Sequence, residues 1–406
     1  MANQGIHAAT RARPAVPAYR PRTAAALLHE SLDGYPVVAV TGPRQAGKST
    51  LLAHELAGWN QVTLEDPDVR AHAREDPRGF LARNGQPLVI DEAQHAPELF
   101  SYLQTVVDRR AKPGQYVLSG SQNLALSARI TQSLAGRVGL VELLPFSTAE
   151  LDRSWLESAD LNTVLWTGGF PAIHARHLDP ARYHANYTAT YVERDVRQLT
   201  QVHDLLLFQR FLRLCAGRIG QLINLSALAA DTGISQPTAN AWMSVLEAGY
   251  VVRRLAPYYA NFGKRLVKAP KLYFIDTGLA AWLLGIQSPA TLDAHPLRGP
   301  LFENWVIVEA IKHRVHRGDM RPLYFWRDNI GTEVDLLLEE GTAITGVEIK
   351  SGQTLADDMV RSLLAWQRHT AASDAQRPLA LVYGGSGTFQ RWGVHVTGWR
   401  ELAALG

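Results

Sequence analysis

The chain has 406 residues, 46% of them hydrophobic and 19% charged, with a formal net charge of +3. That length exceeds one compact core and calls for two or three domains. The near balance of charge excludes a globally basic nucleic-acid binder, so any such surface must be a local patch. A single cysteine, Cys215, excludes an internal disulfide framework, and no apolar run is long enough to span a bilayer.

Residues 1–22 carry Arg11, Arg13, Arg20 and Arg22 with no acid before Glu30, and Pro14, Pro17 and Pro21 interrupt any amphipathic helix. No apolar stretch follows the charges, so the segment reads as a flexible basic arm on a cytoplasmic protein rather than a secretory signal. A short helix over 24–32 then leads into the apolar strand 36–40.

The stretch from Gly42 to Thr50 fits G-x-x-x-x-G-K-[ST], the phosphate-binding loop of nucleoside-triphosphatases. Gly42 and Gly47 let the backbone curl around Pro43, Arg44, Gln45 and Ala46, so that N–H groups point inward at an anion. The helix starting near Lys48 adds its positive dipole end. Lys48 can reach the β and γ phosphates, the Ser49 hydroxyl can ligate Mg²⁺, and Thr50 continues the helix.

A second strand over 61–64 precedes a polar, helical segment from Asp68 to Arg83. The apolar strand 87–90 ends in Asp91 and Glu92. Behind a phosphate loop, these are the acids that would hold Mg²⁺ (Asp91) and orient the attacking water (Glu92). A helix over 98–109 and a strand over 115–119 follow. Ser121, Gln122 and Asn123 then occupy the position of a γ-phosphate sensor. Arg137, after the helix-closing Gly136, is a candidate for stabilising the γ-phosphate of its own or a neighbouring subunit, with Arg129 as a second candidate. The βαβα alternation implies a parallel sheet covered by helices, over 23–150.

Residues 151–205 read as a helical connector broken at Gly168-Gly169-Phe170-Pro171. Within 206–285, a helix over 225–231, a turn at Gly233 and a helix from Gln236 to Ala248 form a helix-turn-helix, with Ala241, Val245 and Leu246 expected inside. Strands over 249–255 and 271–275 make it a winged helix. The outward side of its second helix offers Gln236, Thr238, Asn240 and Ser244. The wing supplies Arg253, Arg254, Lys264, Arg265, Lys268 and Lys271 beside Tyr258, Tyr259 and Phe262, a composition suited to nucleic acid.

In 286–390, an amphipathic helix with Glu303 precedes strands bearing Asp335 and Glu348-x-Lys350. Alternation puts Glu348 and Lys350 on one face. Asp335 and Glu348, joined by Glu303, are candidate ligands for a second divalent metal, with Lys350 activating water: the arrangement of metal-dependent phosphodiester cleavage. Residues 391–406 form a tail.

Taken together, these motifs resemble the bacterial and archaeal AAA-type ATPases that carry a C-terminal restriction-endonuclease-like domain. The resemblance rests on Gly42 to Thr50, Leu88 to Gln94, Ser133 to Arg137, Gly168 to Pro171, Glu193-Arg194-Asp195-Val196, Lys264-Arg265, Lys271 to Leu279 and the set Glu303, Asp335, Glu348 and Lys350. It implies an α/β protein with a P-loop parallel-sheet ATPase domain, a helical winged-helix domain and an α/β nuclease-like C-terminal domain. It also implies ATP rather than GTP, with Mg²⁺, and ring-type oligomers, expected as hexamers. Val334-Asp335 departs from that family's usual Pro-Asp pair. The expected function is an ATP-hydrolysing DNA motor or remodeller. An ATP-dependent DNA nuclease and an ATP-switched protein-binding scaffold are the alternatives.

Overall fold

The computed structural model describes residues 19–110, 112–120, 133–192, 204–258, 269–370 and 377–405. The first unit begins with α1 (Ala24–Gly34), β1 (Val37–Thr41), α2 (Lys48–Glu55), β2 (Asn60–Thr63), α3 (Pro67–Glu75), α4 (Pro77–Asn84) and β3 (Leu88–Asp91). It is completed by α5 (Leu99–Arg110), β4 (Tyr116–Gly120) and β5 (Val138–Glu142). The strands form one parallel sheet in the order β2-β3-β4-β1-β5. β1 and β4 are buried along their whole length, as central strands covered on both faces must be.

Alternation along β1 divides the core. Val37 and Ala39 pack with Leu88, Ile90 and Leu118 on one face, and Val38 and Val40 pack with Leu51, Val89 and Val117 on the other. The single helix expected over 68–83 is two. Pro77 cannot extend α3, and the Asp76 carboxylate instead caps α4 at Gly79 N–H, 2.9 Å away.

A helical unit follows: α6 (Arg153–Ser158), α7 (Leu161–Thr167), α8 (Pro171–Arg176), α9 (Pro180–Tyr187), α10 (Leu205–Ala216), α11 (Leu225–Thr232) and α12 (Gln236–Ala248). Cys215 is fully buried on α10, and burial pushes its thiol up to about 12, so its role is packing. Gly233 turns α11 into α12 with φ +87°, and Ser235 caps α12. On α12, Ala239, Trp242, Met243, Val245 and Leu246 face inward, whereas Ala241 is exposed, against expectation. The Gly168-Gly169 break is a close approach. A Cβ on Gly168 would lie 2.3 Å from the Asp276 carboxylate, which accepts the N–H groups of Gly169 and Leu279.

The chain then enters β6 (Val252–Pro257) and β7 (Lys271–Phe274), antiparallel to each other, and α13 (Thr277–Leu283). After α14 (Pro289–Asp293) and α15 (Arg298–Val315) come β8 (Leu323–Arg327), β9 (Glu333–Glu340), β10 (Ala343–Lys350), α16 (Arg361–Thr370), β11 (Leu379–Tyr383), β12 (Thr388–Arg391) and β13 (Val394–Gly398). β6 pairs in parallel with β8, so the hairpin and the C-terminal strands make one sheet, ordered β12-β13-β11-β10-β9-β8-β6-β7. The fully buried Asn304 of α15 clasps its edge: its Oδ1 accepts Phe274 N–H at 2.6 Å and its Nδ2 donates to Phe274 O at 2.8 Å. Among the described residues no helix is long and apolar enough to cross a membrane.

Candidate functional site

β1 delivers Thr41 to the edge of the sheet, and the chain turns at once. Gly42 has φ +145°, and a Cβ there would lie 2.0 Å from Leu143 O. Gly47 is left-handed at φ +95° and forms the N-cap of α2. Only glycine satisfies both positions. Pro43 and Ala46 are buried, Arg44 is half-buried and Gln45 is exposed, while Ser49 and Thr50 open to solvent on the first turn of α2. The Lys48 ammonium is folded into the loop, 2.9 Å from both Gly42 O and Pro43 O.

The acids meet this loop across the sheet. Ser49 Oγ donates to Asp91 Oδ2 at 2.7 Å, Ser119 Oγ donates to Asp91 Oδ1, and Glu92 N–H reaches the same oxygen at 3.1 Å. Ser119, missed in the sequence, lies one residue before the end of β4, the strand between β1 and β3; a polar residue late in an apolar parallel strand was its only signal. Glu92 adopts a left-handed conformation (φ +54°), and Gln94 Nε2 donates to its carboxylate. Glu65, Glu92 and His95 bring ligand atoms within 4.8 Å of one another at the same strand ends.

These residues fit a magnesium nucleotide: a glycine-bounded cradle, a lysine inside it, and a hydroxyl and carboxylate already in contact. Gly42 to Ser49 would hold the phosphates, and Ser49 with Asp91 would hold Mg²⁺, whose charge offsets that developing on the transferred phosphoryl group. Glu92, whose carboxylate accepts from Gln94, would orient water. The sensor candidates Ser121 and Gln122 lie outside the described residues.

Arg137 does not reach its own chain's site. Its carbonyl accepts the N–H of Val37, the first residue of β1, roughly 13 Å of strand from the loop. Its guanidinium pairs with the exposed Asp108, with Nη2 to Oδ2 at 3.0 Å.

Three contacts tie the loop to the rest of the molecule. Arg22, expected in the flexible arm, is buried: Nη1 donates to Ala46 O at 2.7 Å, Nη2 to Leu144 O at 2.6 Å, and Nε lies 3.2 Å from Glu150. Burial would raise the Glu150 pKa, but Arg22, His316 and the N–H groups of Ser147 and Thr23 together lower it. Burial brings His316 to about 4 despite Glu150, and its Nε2 accepts the N–H of Leu144 at 3.1 Å. Tyr183 of α9 donates to Gln45 Oε1 at 3.3 Å. Arg253 of β6 pairs with Glu142, the register partner of Thr41.

That last pair corrects an expectation. Of the wing cations, Arg253 is held by Glu142, Arg254 by Glu247 of α12, and Lys271 is buried between Glu303 and Glu333. The described wing therefore presents none of these three as a free charge. Lys264, Arg265 and Lys268 lie outside the described residues.

The C-terminal candidates do converge. Asp335 accepts Ile349 N–H at 2.8 Å, Lys350 Nζ lies 2.5 Å from Glu348 Oε1 and 4.0 Å from Asp335 Oδ2, and Glu303 accepts from Tyr273 OH at 2.6 Å. Burial, with Glu303 and Glu348 adding repulsion, raises the Asp335 pKa, and burial also raises that of Glu348. Yet the oxygens of Glu303, Asp335 and Glu348 are not drawn to metal-ligand spacing. Lys271 and Tyr273 are the members that sequence reading did not assign here. Their i, i+2 spacing on an apolar strand was the available signal.

A phosphate loop on β1, an acid pair on β3 and a parallel sheet with β4 between them define a P-loop ATPase, and residues 34–152 match the family model described as an AAA domain. Relatives along most of the chain are more particular. Over 378 residues it is 35% identical to the uncharacterized protein Rv2008c of Mycobacterium tuberculosis (strain ATCC 25618 / H37Rv) and to Mb2031c of Mycobacterium bovis (strain ATCC BAA-935 / AF2122/97), covering 91% of this chain and 81% of each relative. The chain belongs to the family of these mycobacterial proteins. Residues 158–290 and 298–402 match two domains of unknown function, DUF8612 and DUF4143. Among solved structures, the Walker-type ATPase PABY2304 of Pyrococcus abyssi overlays 64% of this chain and 94% of its own at a TM-score of 0.44 and 18% identity.

Proposed function

We propose that this ATPase is a DNA motor or remodeller in which the state of the phosphate loop sets the position of the helical unit. The observation that carries the reading is the direct contact between them: Gln45 touches Tyr183, and Glu142, beside the last residue of β1, holds Arg253 at the base of the hairpin. ATP binding reorganises the loop and its neighbours, and both contacts lead into the helical unit. That unit has the element order of a winged helix. The exposed Gln236, Asn240 and Ser244 of α12 would face the bases. Phosphate contacts fall to the segment bearing Lys264 and Arg265.

Ring assembly, as a hexamer, belongs to the same reading. Arg137, far from its own site, is then the residue that a chain offers to its neighbour's γ-phosphate, in exchange for Asp108.

A second reading has a specific observation behind it. Because Arg253, Arg254 and Lys271 are all ion-paired, the same switch could present α12 to a protein instead.

The test is ATP turnover with duplex, single-stranded and branched DNA, with strand integrity read in the same tubes. Stimulation by one DNA form with intact strands is the expected result. Turnover indifferent to every form would transfer the proposal to a protein partner.

A further inference from the structure

The carboxylates of the C-terminal unit are held by a residue from outside it. Lys271, on β7 of the hairpin, has its side chain only 3% exposed. Its Nζ lies 2.9 Å from Glu303 Oε1 and 2.5 Å from Glu333 Oε1, and 5.5 Å from the centre of the Phe325 ring. Tyr273, two residues along and so on the same face, donates to the same Glu303 oxygen. Lys350 serves Glu348 and Asp335 from the other side. Four carboxylates therefore meet two ammonium groups around the buried Lys271, Asp335 and Glu348, with Arg327 beside Glu333 at the rim.

A divalent metal is held by oxygen ligands drawn to one point, one or two of them often carboxylates and the rest waters or phosphates. Here the oxygens of Glu303, Asp335 and Glu348 stay apart, and an ammonium with near-zero exposure already lies among the acids. An incoming ion would meet that charge at low dielectric, where like-charge repulsion is strong.

We propose that Lys271 is the resident cation of this cluster. It takes the electrostatic place of a nuclease metal and fastens the hairpin of the helical unit to α15 and β9. The cluster is thus an ion-paired joint between two units, not a metal-dependent cleavage centre. Asn304, one residue after Glu303, clasps Phe274 of the same strand and completes the joint. Removing Lys271 leaves Glu303 and Glu333 without their shared cation. Glu348 Oε2, already a buried oxygen with no hydrogen-bond partner among the described residues, would then serve as a further ligand.

The experiment is Mn²⁺ titration of the full chain by calorimetry, without nucleotide, on wild type, Asp335→Asn, Lys271→Ala and the double variant. Glu65, Glu92 and His95 can also take Mn²⁺, so only the Asp335-dependent part counts. The expected result is that wild type and Asp335→Asn bind alike, whereas Lys271→Ala gains one ion per chain that the double variant loses. Mn²⁺ also restores the melting temperature that Lys271→Ala lowers. An ion lost from wild type on Asp335→Asn, Asp335-dependent cutting of DNA by wild type, or no gain in Lys271→Ala overturns the proposal. Lys271→Met keeps the packed stem if the alanine variant does not fold, and the comparison of wild type with Asp335→Asn decides by itself.

Discussion

Two carboxylate sites lie on two sheets of this chain, and their acids are satisfied by different partners. At the nucleotide site Asp91 is half-buried and is held by two hydroxyls, those of Ser49 and Ser119. Neutral donors such as these can turn away without leaving a charge behind. In the C-terminal cluster Asp335 and Glu348 are buried and are held by Lys350, as Glu303 and Glu333 are by Lys271. A cation held between buried acids can leave only at a cost of several kcal/mol per ion, roughly. Acidic residues at the ends or middles of strands thus serve opposite ends: one set is kept ready for a ligand, the other is closed on itself.

The largest test of this contrast is Lys48→Ala, which should lower ATP turnover about 100-fold or more by removing a fixed cation from the developing phosphate charge. Phosphate release measures it, and surviving turnover would move the site. Next is Arg22→Ala. It leaves Glu150 buried and unpaired, a loss of about 3–5 kcal/mol, and frees the Ala46 carbonyl, so the melting temperature falls and KM for ATP rises. An unchanged KM would make Arg22 structural only.

Asp335→Asn should leave turnover intact and change the pH profile instead. A carboxyl raised above 3.8 in the folded state stabilises fully below that value and loses its contribution as pH climbs through the folded pKa. Wild-type melting temperature should therefore decline across that window more steeply than that of the variant. Parallel profiles would contradict the buried, raised carboxyl. The smallest effect belongs to Arg137→Ala. Its partner Asp108 is exposed, so the melting temperature should not move, and turnover should fall only at concentrations where chains associate. A loss independent of concentration would place Arg137 in its own site.

The nucleotide site was legible in the sequence because its geometry is local: Gly42, Gly47, Lys48 and Ser49 are fixed by consecutive backbone, and Asp91 by the end of one strand. Helices and strands were largely legible for the same reason, but Pro77 split one helix, and residues 391–406, read as a tail, supply β13 to the interior of the larger sheet. Arg22 was not, because a buried arginine and an arm arginine look alike until Ala46, Leu144 and Glu150 are seen around it. The role of Lys271 was hidden in the same way. Its neighbours Arg253 and Arg254 suggested a basic wing, and only the long-range return of Glu303 and Glu333 reveals a counter-ion. Charged residues disclose their partners through tertiary contacts, which spacing does not encode.

The clasp of Asn304 on Phe274 has one more consequence. β7 is an outer strand of the larger sheet, apolar along Leu272 to Phe274, and such an edge invites strand addition from another chain. Asn304 occupies Phe274, and the segment 220–222 bonds Lys271 and Leu272 along the same border. The opposite border is β12, four exposed residues that include Arg391. One edge is covered and the other is short and polar. The larger sheet is thereby guarded against edge-to-edge pairing between copies of this chain.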